Sequence, residues 1–186
     1  MTLADLGPRD ALLVVDVQRD FCPGGALAAP DGNAIVAPLN RWIDGAQRAG
    51  ALVLFSRDWH PLCHPSFRSE GGPWPAHCLQ DSPGAQFHHE LRTPPNTLIV
   101  SKGVRFDRDQ LSAFDETGVQ VLLQKRAVER LWIAGLALDV CVRATALDAA
   151  HGGFMVHVIG EACRALTPEG ETKTWKDFTA AGIEAA

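Results

Sequence analysis

Five short apolar runs recur along the chain: Ala11–Val15 (ALLVV), Ala51–Phe55 (ALVLF), Leu98–Ser101 (LIVS), Leu131–Ala134 (LWIA) and Phe154–Ile159 (FMVHVI). Their continuous hydrophobicity suits strands covered on both faces, as in a parallel sheet. Stretches of helical period lie between them. Ile35, Leu39, Trp42, Ile43 and Ala46 share one helix face, which Gly50 terminates, and Pro38 must sit in or near the first turn to avoid a kink. Val119–Arg126 predicts a second helix with Val119, Leu122 and Leu123 inward. The run DVCVRATALDAAH predicts a third, stopped by Gly152 and Gly153, and Thr167-Pro168 caps a last one ending near Ala181. A final edge strand is expected after Gly182. Strand and helix in alternation mean an α/β fold with right-handed crossovers around a mostly parallel sheet.

A chain of 186 residues fits one domain, expected to span 1–186. The formal net charge of −5, with no basic run, argues against nucleic-acid and membrane-surface partners. No apolar segment approaches the length of a membrane span. The opening MTLADLGPRD lacks the basic and then apolar pattern of a secretory leader. Cys22, Cys63, Cys78, Cys141 and Cys163 form an odd, scattered set without a disulfide framework, so the cytoplasm is the expected compartment.

In parallel α/β sheets ligands bind outside the carboxyl ends of the strands. Reactive side chains gather at those ends: Asp16 after the first run, Asp58 after the second, Lys102 after the third. Beyond the fourth, a break at Gly135 leads to Cys141, expected in the first turn of the following helix. There the helix dipole and free N–H groups lower a thiol's pKa. Taken singly, a buried cysteine is a small hydrophobe, a strand-end aspartate a turn residue and a lysine a solvated charge. Together they form a working set: a thiol nucleophile, a carboxylate to take its proton and return it to a leaving amine, and a cation to hold the charge. Backbone N–H groups between Leu136 and Cys141 can face an oxyanion.

His60–Pro95 has no period and holds seven of the 12 prolines and five of the seven histidines. A stretch of that length without secondary structure is expected to be functional. Asp58 and His60 lie two apart, so an extended chain points both the same way. With His64 and His77 they make a donor set suited to zinc, iron or manganese, and no C-x-x-C pair points to a zinc finger. His88, His89 and His151 are expected to be solvated and His157 to be a core or edge residue. Phe21, Trp59 and Trp74 can wall a pocket for a flat ring, whereas Trp42, Trp132 and Trp175 are expected in the core.

The segments DVQRDFCPGGAL from Asp16, DWHPLCHPSF from Asp58, WPAHCLQDSPGAQF from Trp74, SKG from Ser101, SAF from Ser112 and GLALDVCVRATALDA from Gly135 resemble the nicotinamidase/pyrazinamidase branch of the isochorismatase-like hydrolases. The resemblance implies a three-layer α/β/α, Rossmann-like sandwich with a metal-binding loop region at about 58–95. It implies hydrolysis of nicotinamide, with pyrazinamide as an analogue, through a cysteine thioester. Asp16, Lys102 and Cys141 match the catalytic triad. Asp58, His60, His64 and His77 match the ligands of one divalent ion. Ala137, preceded by a cis peptide, and Cys141 match the oxyanion hole. Phe21, Trp74, Leu136 and Val140 match substrate-binding positions. Val140 departs from the family pattern, in which Tyr or His usually precedes the nucleophile. A homo-oligomer is compatible with the resemblance. The competing expectations are a relative acting on another small amide or carbamoyl compound, a metal-generated nucleophile, and a non-catalytic metal-binding or redox protein on the same fold.

Overall fold

The structure, a computed structural model, describes residues 5–186. Met1–Ala4, part of the opening stretch just considered for a leader, lie outside the described residues. The elements run β1 (Asp10–Val15), α1 (Val36–Ala49), β2 (Leu52–Asp58), β3 (Leu98–Lys102), α2 (Val119–Lys125), β4 (Arg130–Leu136), α3 (Arg143–His151), β5 (Met155–Arg164), α4 (Pro168–Ala180) and β6 (Glu184–Ala185). One sheet carries all six strands in the order β3-β2-β1-β4-β5-β6, every pairing parallel. Right-handed crossovers leaving β1 in one direction and β4 in the other put helices on both faces of the sheet, which makes the three-layer α/β/α sandwich. The direction of winding reverses between β1 and β4, and there the loops after two neighbouring strands diverge and leave a crevice.

The apolar runs became strands because both faces are covered: every residue of β1 is buried, and so are Leu131–Leu136 of β4. On α1 the buried residues are Val36, Leu39, Trp42, Ile43, Gly45 and Ala46, with Trp42 packed 5.2 Å from Trp132 of β4. Pro38 sits in the first turn, where its missing N–H has no partner to lose, and Gly50 closes the helix with φ 73°. Thr167 caps α4 by accepting from the Gly170 N–H at 3.0 Å, and Pro168 opens the helix. Such a cap contributes about 1 kcal/mol. Arg130 grips Asp10 through two nitrogens at 2.6 and 2.7 Å and so locks the entry ends of β4 and β1 together.

Three elements extend beyond the apolar pattern. β2 continues through Ser56 and Arg57 to Asp58, and β5 continues to Arg164, because neighbouring strands keep offering ladder partners where hydrophobicity lapses. β4 does not break at Gly135 but runs through it to Leu136. Gly135 adopts φ 137°, and a Cβ there would lie 1.9 Å from the Val15 carbonyl oxygen, so the glycine permits close passage against β1. All five cysteines are free, and among the described residues no helix is long and apolar enough to cross a membrane.

Candidate active site

The exits of β1, β2, β3 and β4 bring Asp16, Asp58, Lys102 and Cys141 into one buried cluster. Lys102 is the last residue of β3, and its side chain is wholly buried rather than solvated. Its Nζ lies 2.7 Å from Asp16 Oδ2, 2.5 Å from Asp58 Oδ1 and 3.4 Å from Cys141 Sγ. Burial disfavours its charged form, but the two carboxylates outweigh burial and hold its pKa well above the ordinary lysine value. Acceptor atoms of Asp16, Asp58 and Cys141 all lie within 4.8 Å of one another. That trio has the donor types of a metal site, yet the Lys102 ammonium already supplies its positive charge.

Asp16 follows β1 in a left-handed conformation, φ 49°, and Ser56 Oγ donates to its Oδ1 at 2.6 Å. Burial raises its pKa despite Lys102, which suits a carboxylate that must accept a proton and give it back. Cys141 lies in a π-helical turn, Leu138–Val142, that precedes α3, not in the first turn of the α-helix. The carbonyl of Ala137 accepts from both Val140 N–H and Val142 N–H at 3.1 Å, which widens the turn; such turns are frequent at functional sites. The expected lowering of the thiol pKa does not hold. Burial, reinforced by Asp16 and Asp58 against the opposing Lys102, pushes it well above the ordinary value. The resting group is therefore a thiol, and a base is needed to make it a nucleophile. The Leu136–Ala137 peptide just before the turn is cis.

The long loop folds back beside this cluster with one short 3-10 turn, Arg68–Glu70, and single bridges pairing His60 with Leu79 and Phe67 with Trp74. One ligand atom from each of Asp58, His60 and His77 lies within 4.8 Å of the others, and all three residues are buried. His60 Nδ1 faces the Gly103 carbonyl at 2.9 Å, and His77 Nδ1 faces the Pro75 carbonyl at 2.7 Å. Both Nδ1 atoms must therefore donate, which leaves each Nε2 as a lone-pair donor toward Asp58, at 3.6 and 3.9 Å from its Oδ2. His64 stands outside that tight trio, with its ring 4.2 Å from the His60 ring. Its Nδ1 is held by Ser66 Oγ at 2.7 Å, and its buried Nε2 has no hydrogen-bond partner. An orphaned imidazole nitrogen beside two oriented imidazoles and a carboxylate fits a divalent cation. Burial, together with the neighbouring His60, holds His64 down at about 4, and burial lowers His77 as well, so both are neutral as ligands require. Asp58 is held well below the usual carboxylate range because the Lys102 ammonium overcomes its burial.

Both groups open into one cavity of about 350 Å³ including its mouth. Phe21, Trp74, Ala137, Val140 and Cys141 line it together with Asp58, His60 and His77. Leu136 is not on the lining; a Cβ on Gly32 would lie 3.5 Å from its side chain, which therefore turns toward that loop. Trp59 does not wall the cavity either: its ring lies 3.8 Å under the Arg57 guanidinium.

Other side chains at the site carried little sequence signal. Gln18, fully buried, donates to the carbonyls of Asp58 and Ala85 and accepts from the Asp58 N–H. Its one signal is a polar residue two positions past Asp16. Asp20 Oδ2 accepts from the Cys78 N–H at 2.7 Å and braces the chain next to His77. Leu27, Asp109, Leu111 and Leu166 also line the cavity. Asp139 accepts from the Leu166 N–H at 2.8 Å and so fixes that wall.

A parallel α/β sheet that buries a thiol, a carboxylate and a lysine together at its carboxyl rim has the framework of a hydrolytic enzyme. The chain belongs to the isochorismatase family, whose domain model matches residues 10–186, and it is a hydrolase of amides. It is 38% identical to a nicotinamidase of Escherichia coli, covering 94% of this chain and 93% of the relative. The pyrazinamidase of Pyrococcus horikoshii in complex with zinc superposes with a TM-score of 0.93 at 42% identity, over 96% of this chain and 99% of that one. PnC1 from L. infantum in complex with nicotinate superposes with a TM-score of 0.90 at 33% identity, over 97% and 94% of the two chains.

Proposed function

We propose that this protein hydrolyses nicotinamide to nicotinate and ammonia, with pyrazinamide as an analogue substrate, and that the chain acts as one catalytic domain. The observation that carries this reading is the single cavity that has Cys141 and the Asp58, His60 and His77 set on its wall, with Asp16 and Lys102 buried behind them. Similarity to proteins named for nicotinamide and pyrazinamide hydrolysis supports the choice of substrate. So does the nicotinate bound by the L. infantum relative.

Asp58, His60, His64 and His77 would hold one divalent ion, zinc, iron or manganese, zinc being the ion in the P. horikoshii complex. When bound, the ion supplies a Lewis-acidic dock for the pyridine nitrogen. Phe21 and Trp74 hold the flat ring, and Val140 borders its edge. Asp16 takes the proton from Cys141 Sγ while Lys102 steadies the charge on sulfur. The thiolate attacks the carboxamide carbon, and the N–H groups of Ala137 and Cys141 receive the developing oxyanion. Asp16 returns its proton to the amine, the C–N bond breaks and ammonia leaves a thioester on Cys141. Water then attacks that carbon as Asp16 removes its proton. Collapse releases nicotinate and restores the Cys141 thiol with the proton from Asp16.

The test is ammonia release from nicotinamide by metal-loaded protein, with the thioester sought on Cys141 by mass spectrometry after acid quench. Turnover that vanishes in Cys141→Ala, while bound metal is retained, supports the reading. Wild-type rates in that variant, or no release by the wild type, overturn it.

A further inference from the structure

The segment between β3 and α2 passes over the cavity, and two of its side chains, Asp109 and Leu111, line it. Gln110 between them is buried and ties the segment to itself. Its Oε1 accepts from the Val104 N–H at 3.3 Å, and its Nε2 donates to the Asp115 carbonyl at 2.7 Å. Asp109 Oδ1 accepts from the Gln110 N–H at 2.9 Å, which fixes the carboxylate. The nearby arginines are taken: Arg105 pairs with Asp107 and Glu116, and Arg108 with Asp115 and Glu116. Asp109 has no ion-pair partner among the described residues. Its negative field also reaches His64 and His77, as expected for a carboxylate on that side of the cavity.

Substrate and product of the reaction proposed above have nearly the same shape. Ring walls and a dock for the ring nitrogen treat them alike, and the difference left to read is one negative charge. With Asp16 and Asp58 ionised beside Lys102 and a divalent ion, the cavity would be net positive and would retain an anionic product. One further carboxylate in the wall cancels that excess.

We propose that Asp109 is a specificity-determining residue, a fixed negative charge in the cavity wall that favours the neutral carboxamide over the carboxylate and so hastens departure of the product. The proposal rests on the reading of the cavity as a site for a pyridine carboxamide. A unit charge in a half-solvated wall changes an anion's affinity by roughly three- to tenfold, and salt weakens the effect.

The experiment compares zinc-loaded wild type with Asp109→Asn, Asp109→Ser and Asp109→Glu. Calorimetry gives the affinities of nicotinate and nicotinamide, and the ammonia assay gives product inhibition by nicotinate, each at low and high salt. Both neutral variants should raise the nicotinate-to-nicotinamide affinity ratio roughly three- to tenfold, with the gap narrowing at high salt. Asp109→Glu should keep the wild-type ratio. A ratio within about twofold of wild type in the neutral variants, or an equal change in Asp109→Glu, overturns the proposal. Loss of affinity for both ligands alike overturns it too, because that marks a purely structural role. Wild-type protein that neither binds nicotinamide nor releases ammonia from it overturns the underlying reading and this proposal with it. An unchanged ratio in active enzyme overturns only the role of Asp109.

Discussion

The side-chain amide of Gln18 clamps the backbone of Asp58 from both sides, donating to its carbonyl at 2.7 Å and accepting from its N–H at 2.8 Å. The same nitrogen reaches the Ala85 carbonyl at 2.9 Å, so one buried amide joins the exit of β1, the end of β2 and the long loop. Asp58 is thereby presented to Lys102 on one side and to His60 and His77 on the other.

Replacing Gln18 with Leu leaves the Asp58 N–H and two carbonyls buried without partners. The expected destabilisation is about 2–4 kcal/mol, since each such group costs about 1–3 kcal/mol and partial relaxation recovers some of it. Zinc affinity should fall by about tenfold, as for lost partners of metal ligands in general. Urea unfolding and chelator competition measure the two effects separately. Undiminished zinc affinity in a folded variant would show that the clamp serves the fold alone.

Lys102 pairs with two buried carboxylates, Asp16 and Asp58. Lys102→Met keeps much of the side-chain volume and removes the charge. Breaking a buried ion pair on one side costs about 3–5 kcal/mol, so the melting temperature should drop. Ammonia release should fall by more than about 100-fold, a loss on the scale of removing a positioned group that handles the transferred proton. Substantial activity in a stable Lys102→Met protein would refute that placement of the lysine in the chemistry.

The elements were legible where one rule dominated. Unbroken apolar runs marked five strands, and Gly50, Gly152 and Thr167-Pro168 marked helix ends by backbone chemistry that does not depend on distant contacts. Strand ends were less legible, because β2 and β5 are prolonged by ladder bonds to partners far away in sequence. The rim residues Asp16, Asp58 and Lys102 were visible from topology alone, since a parallel sheet must present its strand exits together. The state of Cys141 was not. A helix end suggested a lowered thiol pKa, but burial outweighs the opposing Lys102. Asp109 lies in a segment without period, so nothing local marked it as part of the cavity wall.

Gly103 turns the chain after β3 with φ +67°, and its carbonyl holds His60 Nδ1. A Cβ there would lie 2.3 Å from His60 Cε1, so Gly103→Ala must both strain the backbone and displace the imidazole. The expected result is a stability loss of about 1–3 kcal/mol together with weaker zinc binding. Chelator competition and thermal unfolding read these out. Retention of both at wild-type levels would mean that His60 and the loop can shift freely, contrary to its packing against Phe67 and His77.

His157 of β5 is buried against Trp132, with ring centroids 4.8 Å apart, and its Nδ1 lies 3.3 Å from the exposed Glu184 carboxylate. Burial outweighs that carboxylate and lowers the His157 pKa below its ordinary value near 6.5. Between the lowered folded value and the unfolded one, the unfolded chain binds more protons. Stability from this group is therefore complete above about pH 6.5 and is lost as pH falls through that window. His157→Phe removes the titration and keeps a ring against Trp132. The urea midpoint of the variant should decline less than that of wild type between about pH 7 and pH 5, and the difference between the two curves isolates this group from the carboxylates. Parallel curves would mean that His157 takes up its proton in the folded state as readily as in the unfolded one, and that Glu184 rather than burial sets its charge.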